Sequence, residues 1–404
     1  MSDTTVSITL SKLPYYDAMP QGAVLLVSVP DGTDTTKRYF ATLLPGVFAS
    51  GTTGGTTGGA TGGTTGGTTG GGTTGGSTGG TTTPTTPTTP ATTATGDLTV
   101  NLSSKTGQRV YGTIYGFGTG ALADNGFANT GDASIRPAIA QLQPSLFRIN
   151  CNANINGTAW QDYVFRNGTG NPDWTGFDPL LDNAGWMSAN TEILMGVGNG
   201  SGTLSATTMA NYATAIANRA IAKGRPIKLW EVENERDSTS RTTYNGWFTA
   251  VADALHAIDP SYKVFGPVNS YAASTAPDGA IQSLCNAAGS KLGGVCYHTY
   301  LGDSATASGW SNDTLYANAL MLTEAQVARQ TADSVTTTAG IPLCVGEWNI
   351  IYSPDDNYTK QISIAGAVYS ALALYRVINA NINARYGAIW ECAGNSTYGQ
   401  VSLS

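Results

Sequence analysis

The stretch Lys228-Leu229-Trp230-Glu231-Val232-Glu233-Asn234-Glu235 begins as a strand and ends in polar residues. Farther along, Pro342-Leu343-Cys344-Val345-Gly346 is another strand-like run, closed by Glu347-Trp348-Asn349. Six further short apolar runs fit the same reading: Thr113–Phe117, Leu146–Asn150, Glu192–Val197, Lys263–Val268, Gly294–His298 and Gly387–Trp390. Between most of them lie stretches with apolar residues at helical spacing, among them Ala206–Lys223, Tyr244–Ile258, Leu315–Thr331 and Ile362–Ile378. Strands alternating with helical crossovers predict an α/β fold with a parallel sheet, and eight of them predict a (β/α)8 barrel. A doubly wound sheet is the alternative; it would normally carry a Gly-rich phosphate turn after an early strand, and no such turn is evident.

In such a barrel the C-terminal strand ends gather the working residues. Those ends carry Arg148 and Asn150, Asn199, Asn234 and Glu235, Asn269, His298 and Tyr300, Glu347 and Trp348, and Trp390 with Glu391. Carboxylates, amides and aromatic rings are the mixture that sugar sites use: amides and Arg bind hydroxyls, and rings cover the apolar sugar faces. Two carboxylates converging at the mouth are what glycosidic bond cleavage needs, one as acid and one as base or nucleophile. Glu231, Glu233 and Glu235 share one motif, and adjacency to Asn234 at the strand end selects Glu235. Two like charges in one site are expected to raise Glu235. Trp230 reads as core packing and His256 as structural or surface. Asp173, Trp174 and Asp178, in a long loop, are candidate walls of a cleft.

Composition narrows the class. The 404 residues carry a net charge of −7, only 12% are Asp, Glu, Lys or Arg, and no basic cluster stands out. That disfavours nucleic acid, whose phosphates demand Lys/Arg density, and an anionic membrane surface. No segment reads as a bilayer span, so no membrane insertion is expected. The N-terminus lacks the basic and apolar regions of a signal peptide. The five cysteines, Cys151, Cys285, Cys296, Cys344 and Cys392, follow no zinc or CxxC spacing and read as small buried residues. No metal and no cofactor are expected.

Three regions are expected: 1–48, 49–96 and 97–404. The middle one repeats Thr-Thr-Gly-Gly and then Thr-Thr-Pro around Pro84, Pro87 and Pro90. It has almost nothing apolar to offset its ordering entropy, so it reads as a flexible linker, stiffer in its Pro-rich half. In the first region, alternation at Val6, Ile8 and Leu10, the run Ala23–Val29, the turn Pro30-Asp31-Gly32 and the run Arg38–Leu43 predict a small β-rich module. Its pattern resembles a module near the N-termini of bacteriophage tail fibres and tailspikes. That resemblance implies attachment to other virion tail proteins through residues 1–48, and a location that is extracellular or on a virion tail.

The third region resembles the retaining (β/α)8 glycoside hydrolases of clan A, most closely families 39 and 51. Asn234-Glu235 is similar to their strand-four motif, which implies that Glu235 is the acid/base and that Asn234 binds a sugar hydroxyl. Gly346-Glu347-Trp348-Asn349 is similar to the strand-seven motif, which implies that Glu347 is the nucleophile. Tyr297-His298-Thr299-Tyr300 resembles the strand-six segment near the nucleophile, Phe147-Arg148 the strand-two Arg that contacts it, and Trp390 the strand-eight Trp that floors the sugar subsite. Arg148, Asn150, Asn234, His298, Tyr300, Trp348 and Trp390 are therefore the expected substrate-binding set. Two departures stand out. Arg236 replaces a frequent Pro, and the β-sandwich that follows the barrel in many relatives is expected to be absent. The expected substrate is a bacterial surface or extracellular polysaccharide with β-linkages, cut by a depolymerase on a phage tail. The alternatives are a free microbial hydrolase of β-glycans such as xylan, or a barrel that binds glycan without cutting it.

Overall fold

The computed structural model describes residues 5–9, 26–30, 38–42, 97–101, 116–118, 144–151, 154–155, 158–165, 171–182, 191–198, 204–270, 279–302, 310–311, 314–315, 331–335, 338–352, 364–379, 383–390, 393–394 and 401–402. Eight parallel strands close into a barrel. They are β1 (Gly116–Gly118), β2 (Leu146–Ile149), β3 (Glu192–Val197), β4 (Leu229–Val232), β5 (Lys263–Asn269), β6 (Leu292–Gly302), β7 (Leu343–Ile351) and β8 (Gly387–Ile389). Each pairs with its sequence neighbours, and β8 closes on β1 through Ala388 opposite Gly116. The barrel is thus the fold expected from the alternation of runs. All eight expected strands are present, with ends shifted by a few residues.

The helices include α1 (Trp160–Phe165), α2 (Asp178–Leu181), α3 (Ala206–Ala222), α4 (Arg241–Ile258), α5 (Ala280–Ala288) and α6 (Ile364–Asn379). In α3 the buried set Met209, Tyr212, Ala213, Ile216, Ala217 and Ala220 recurs at three- and four-residue steps, the stripe that lays a helix on a sheet. Ser205 caps α3 by accepting the Thr208 amide at 3.1 Å, and Ser240 caps α4 by accepting the Thr243 amide at 3.3 Å. Most of the expected helix Leu315–Thr331 lies outside the described residues, as do the Gly/Thr/Pro tract, Asn199, Glu391 and Cys392. Among the described residues no helix is long and apolar enough to cross a membrane.

Two apolar layers follow from strand alternation. Outward residues such as Trp230, Val232, Val264, Val295 and Val345 meet the helices. Inward ones, Leu146, Leu194, Leu229, Phe265, Cys296, Cys344 and Ala388, fill the barrel floor together with Tyr386. Cys151, Cys285, Cys296 and Cys344 are buried, as the sequence reading expected. Trp230 is fully buried and gives its indole N–H to the Ile227 carbonyl at 3.1 Å. Above the floor the interior turns polar, and the functional cluster begins there.

By internal contacts the chain divides into two units, Met1–Ala23 with Leu43–Ser103, and Val24–Thr42 with Ser104–Ser404. In the first unit Thr5–Thr9 pairs antiparallel with Asp97–Asn101, Thr5 opposite Asn101. In the second, Leu26–Pro30 and Arg38–Thr42 form an antiparallel pair, Pro30 opposite Arg38, and Asp31 and Gly32 of the expected turn lie outside the described residues.

Candidate active site

Arg148 organises the cluster. It points inward from β2 by alternation with Leu146, is fully buried, and spends its guanidinium on β4, the turn after it, and β7. Nε donates to Glu231 Oε2 at 2.6 Å, Nη1 to Glu347 Oε1 at 2.7 Å, and Nη2 to Asn234 Oδ1 at 2.6 Å. Burial works against the charge; the carboxylates of Glu231 and Glu347 outweigh it and hold the guanidinium above its already high ordinary value. Glu347 also accepts from the Tyr300 hydroxyl at 2.8 Å.

A bulge aims Glu347 inward. Along β6 and β7, Cys296 opposes Cys344 and Tyr297 opposes Val345, but His298 then opposes Glu347, so Gly346 is the extra residue. Without it, strict alternation would turn Glu347 toward the helices. Gly346 itself cannot carry a side chain: an added Cβ would lie 2.7 Å from Cys296 Sγ, 3.0 Å from His298 Nε2 and 3.1 Å from Glu231 Oε1. The Gly346→Ala variant is expected to lose about 1–3 kcal/mol of stability from overpacking, read by denaturant unfolding. Parent-like stability would mean that these neighbours yield freely.

The β4 end is bent on both sides of Asn234. Glu233 has φ 66° and Glu235 φ 54°, left-handed values that are uncommon for side chains of this size. The Glu233 amide donates to the Val197 carbonyl at 2.8 Å and the Glu235 amide to the Val268 carbonyl at 2.8 Å. The chain thus turns from β3 to β5 across Asn234. Burial separates the three glutamates: Glu231 and Glu233 have no exposed surface, whereas the Glu235 side chain is 39% exposed. Glu233 is held by Arg236 Nε at 3.1 Å, which commits that arginine to an ion pair.

His298 joins the two outer carboxylates. Its Nδ1 lies 2.7 Å from Glu235 Oε1 and 3.5 Å from Glu347 Oε2, and its Nε2 lies 3.3 Å from Arg148 Nη2. A guanidinium only donates, so Nε2 is assigned as acceptor and Nδ1 as the donor to Glu235. Burial pushes the Glu235 carboxyl up. The hydrogen bond from His298 and the Arg148 charge outweigh burial and leave the carboxyl below its usual range. The rise expected from like charges is thus reversed, because a donor stands between the two carboxylates.

Glu235, His298 and Glu347 present donor atoms that all lie within 4.8 Å of one another. Such a trio could also close on a cation, but its atoms are already bonded to each other, to Arg148 and to Tyr300. Asn150 is buried just past the end of β2. Trp390 is half-buried after β8, against Gly118, where an added Cβ would come within 2.6 Å of the indole ring.

Trp348 does not join this group. It is 3% exposed and sits in the core between barrel and helices, because its neighbour Glu347 takes the inward face. The loop residues are also engaged elsewhere. Asp178 pairs with Arg219 and, at 3.1 Å, with Lys223, and the Trp174 ring lies 5.8 Å under Arg219, so both fasten their segment to α3. Three partners are new relative to the sequence reading. Tyr386 and Cys296 donate to Glu231, at 2.5 and 3.1 Å, and Asn349 donates to the Trp390 carbonyl at 2.5 Å, tying β7 to the end of β8. For Glu231 a signal was present: a charged residue in a strand buried at every position needs partners.

The fold and the site define the class as a parallel (β/α)8 barrel with paired carboxylates at its C-terminal face. No protein-family model matches the chain, and no curated protein does. Among solved structures it is similar to a monomeric β-xylosidase from Caulobacter crescentus CB15, with TM-score 0.53 and 17% identity over 73% of this chain and 65% of that one. It is similar to AbfB, a family 51 α-L-arabinofuranosidase from Bifidobacterium longum, with TM-score 0.53 and 18% identity over 70% of this chain and 68% of that one. A bacterial orthologue of human α-L-iduronidase also aligns, with TM-score 0.52 and 15% identity over 69% of this chain and 49% of that one. At these identities the likeness is one of fold. The chain spans about two thirds of the length of the first two and about half of the third.

Proposed function

We propose that the protein is a retaining glycoside hydrolase, with Glu347 as nucleophile and Glu235 as acid/base. One observation carries this reading: oxygens of the two carboxylates come within 4.8 Å of each other at the barrel mouth. Retaining enzymes hold their carboxyls about 5–5.5 Å apart, whereas inverting ones leave about 6.5–9.5 Å for a water. In the first step Glu347 bonds to the anomeric carbon as the glycosidic bond breaks, and the leaving oxygen takes the Glu235 proton. In the second, water gives a proton to Glu235 and its hydroxyl to the anomeric carbon, releasing Glu347. Arg148 and Tyr300 hold Glu347 in place; Asn234, which Arg148 fixes, is assigned to the sugar together with Trp390 and Asn150.

His298 sets the pH range in this scheme. Glu235 acts as an acid only below its own titration point, which the His298 hydrogen bond depresses. Removing that donor in His298→Ala is expected to move the alkaline limb of kcat/KM to higher pH. A limb that stays in place or moves down contradicts the assignment. The sign for folding is related: a depressed carboxyl contributes stability above its unfolded value and loses it as pH falls through the folded one, so the variant forfeits that contribution.

The substrate belongs to the same proposal. We assign β-linkages in a bacterial surface or extracellular polysaccharide, with residues 1–48 as a tail-attachment module that carries the barrel on a virion. The Thr/Gly tract and the tail-like sequence pattern support this. Reducing-end release across a panel of capsular and plant polysaccharides tests the activity. Release from xylan alone would favour a free hydrolase, and binding without release a glycan-binding barrel. Immunoelectron microscopy with an antibody to the barrel tests the placement, and unlabelled purified particles would reject it.

A further inference from the structure

Glu231 is a buried carboxylate for which the proposed reaction has no step. Three donors converge on it. Arg148 Nε meets Oε2 at 2.6 Å, while the Tyr386 hydroxyl at 2.5 Å and the Cys296 thiol at 3.1 Å meet Oε1. Burial pushes both the Tyr386 phenol and the Cys296 thiol well above their ordinary values, and the Glu231 charge adds to this, so both stay protonated and able to donate. Tyr386 directly precedes β8 and Cys296 lies on β6, so the Glu231 carboxylate is tied to elements on both sides of the barrel interior. Gly346 of β7 leaves the space this requires.

The consequence runs through Arg148. A guanidinium is a rigid planar fork, so fixing Nε by Glu231 fixes the directions of Nη1 and Nη2. Those nitrogens hold Glu347 and Asn234. We infer that Glu231 is a positioning residue: it sets the plane of Arg148 and, through it, the placement of Glu347 and Asn234. The inference rests on the reading of Glu347 as nucleophile. Glu231 also balances the Arg148 charge from below, so the cation is shared between two carboxylates rather than locked on Glu347.

The test uses the full chain with Glu231→Gln, which keeps the volume and removes the charge. Tyr386→Phe, which removes one donor to Glu231 and no contact of Arg148, is the gentler second variant. Two quantities are read on an aryl glycoside that the parent hydrolyses: kcat against KM, and the saturating rate of covalent labelling by the 2-deoxy-2-fluoro analogue of that glycoside. In Glu231→Gln, kcat and the labelling rate are expected to fall by about 10²-fold, the cost of a displacement of about 1 Å at the reacting groups. Tyr386→Phe should shift the same two quantities in the same direction by less, and it decides the matter if Glu231→Gln does not fold. An unchanged labelling rate in a folded variant, or a rise in KM alone, overturns the inference. A parent that hydrolyses no glycoside removes the reading of Glu347 and this inference with it. An active parent whose variants label at the parent rate removes only the role of Glu231.

Discussion

Replacing Glu347 by Gln is expected to lower kcat by about 10⁴-fold or more, about 5.5 kcal/mol of lost transition-state stabilisation. Glutamine fills the same volume; its one carbonyl oxygen can still accept from Arg148, which meets Glu347 Oε1 at 2.7 Å, while its amide N–H group would donate to the Tyr300 hydroxyl, which meets Oε2 at 2.8 Å. What it cannot do is attack the anomeric carbon and carry the glycosyl group. The loss should therefore be uniform across leaving groups and should leave no fluorosugar label. Folding should be little disturbed, although Arg148 then keeps Glu231 as its one carboxylate partner, and circular dichroism can check this. A variant as active as the parent would rule out Glu347 as nucleophile.

The second large effect concerns Glu235. Glu235→Ala is expected to lose about 10²–10⁴-fold on substrates with poor leaving groups, the usual worth of general acid catalysis. Activated aryl glycosides need little protonation, so their first step should remain near the parent rate while the second step slows. Azide, which needs no general base, should restore turnover by attacking the glycosyl-enzyme in the space left by the missing carboxylate. That space opens toward solvent, since the Glu235 side chain is 39% exposed while Glu231 and Glu233 are enclosed. Equal losses on all leaving groups, with no azide rescue, would transfer the acid/base role to another residue.

Much of the barrel was legible because its signal is periodic and local. β4 and β7 open on apolar residues, Leu229-Trp230 and Leu343-Cys344-Val345, before their carboxylates appear, and α3 and α4 carry buried stripes at helical steps. The candidate site was legible to the extent that strand ends converge in a parallel barrel: Arg148, Asn234, Glu235, His298, Tyr300 and Glu347 meet as expected. Three features were not legible. The bulge at Gly346 shifts one residue, and hydrophobic pattern alone cannot say whether Glu347 or Trp348 then faces inward. The direction in which Glu235 titrates depends on which nitrogen of His298 faces it, a fact of three-dimensional placement. Glu231 showed that a buried charge needed partners, but those partners come from Arg148, Cys296 and Tyr386, each distant in sequence.

These residues act together in one claim, a double displacement between Glu347 and Glu235. The anomeric configuration of the first-formed sugar tests it most directly, followed by proton NMR during rapid hydrolysis of an aryl glycoside that the enzyme accepts. Carboxylate oxygens within 4.8 Å of each other predict that the product first appears with the configuration of the substrate and only later mutarotates. Initial appearance of the opposite anomer would contradict the assignment of Glu347 as nucleophile and, with it, the retaining mechanism.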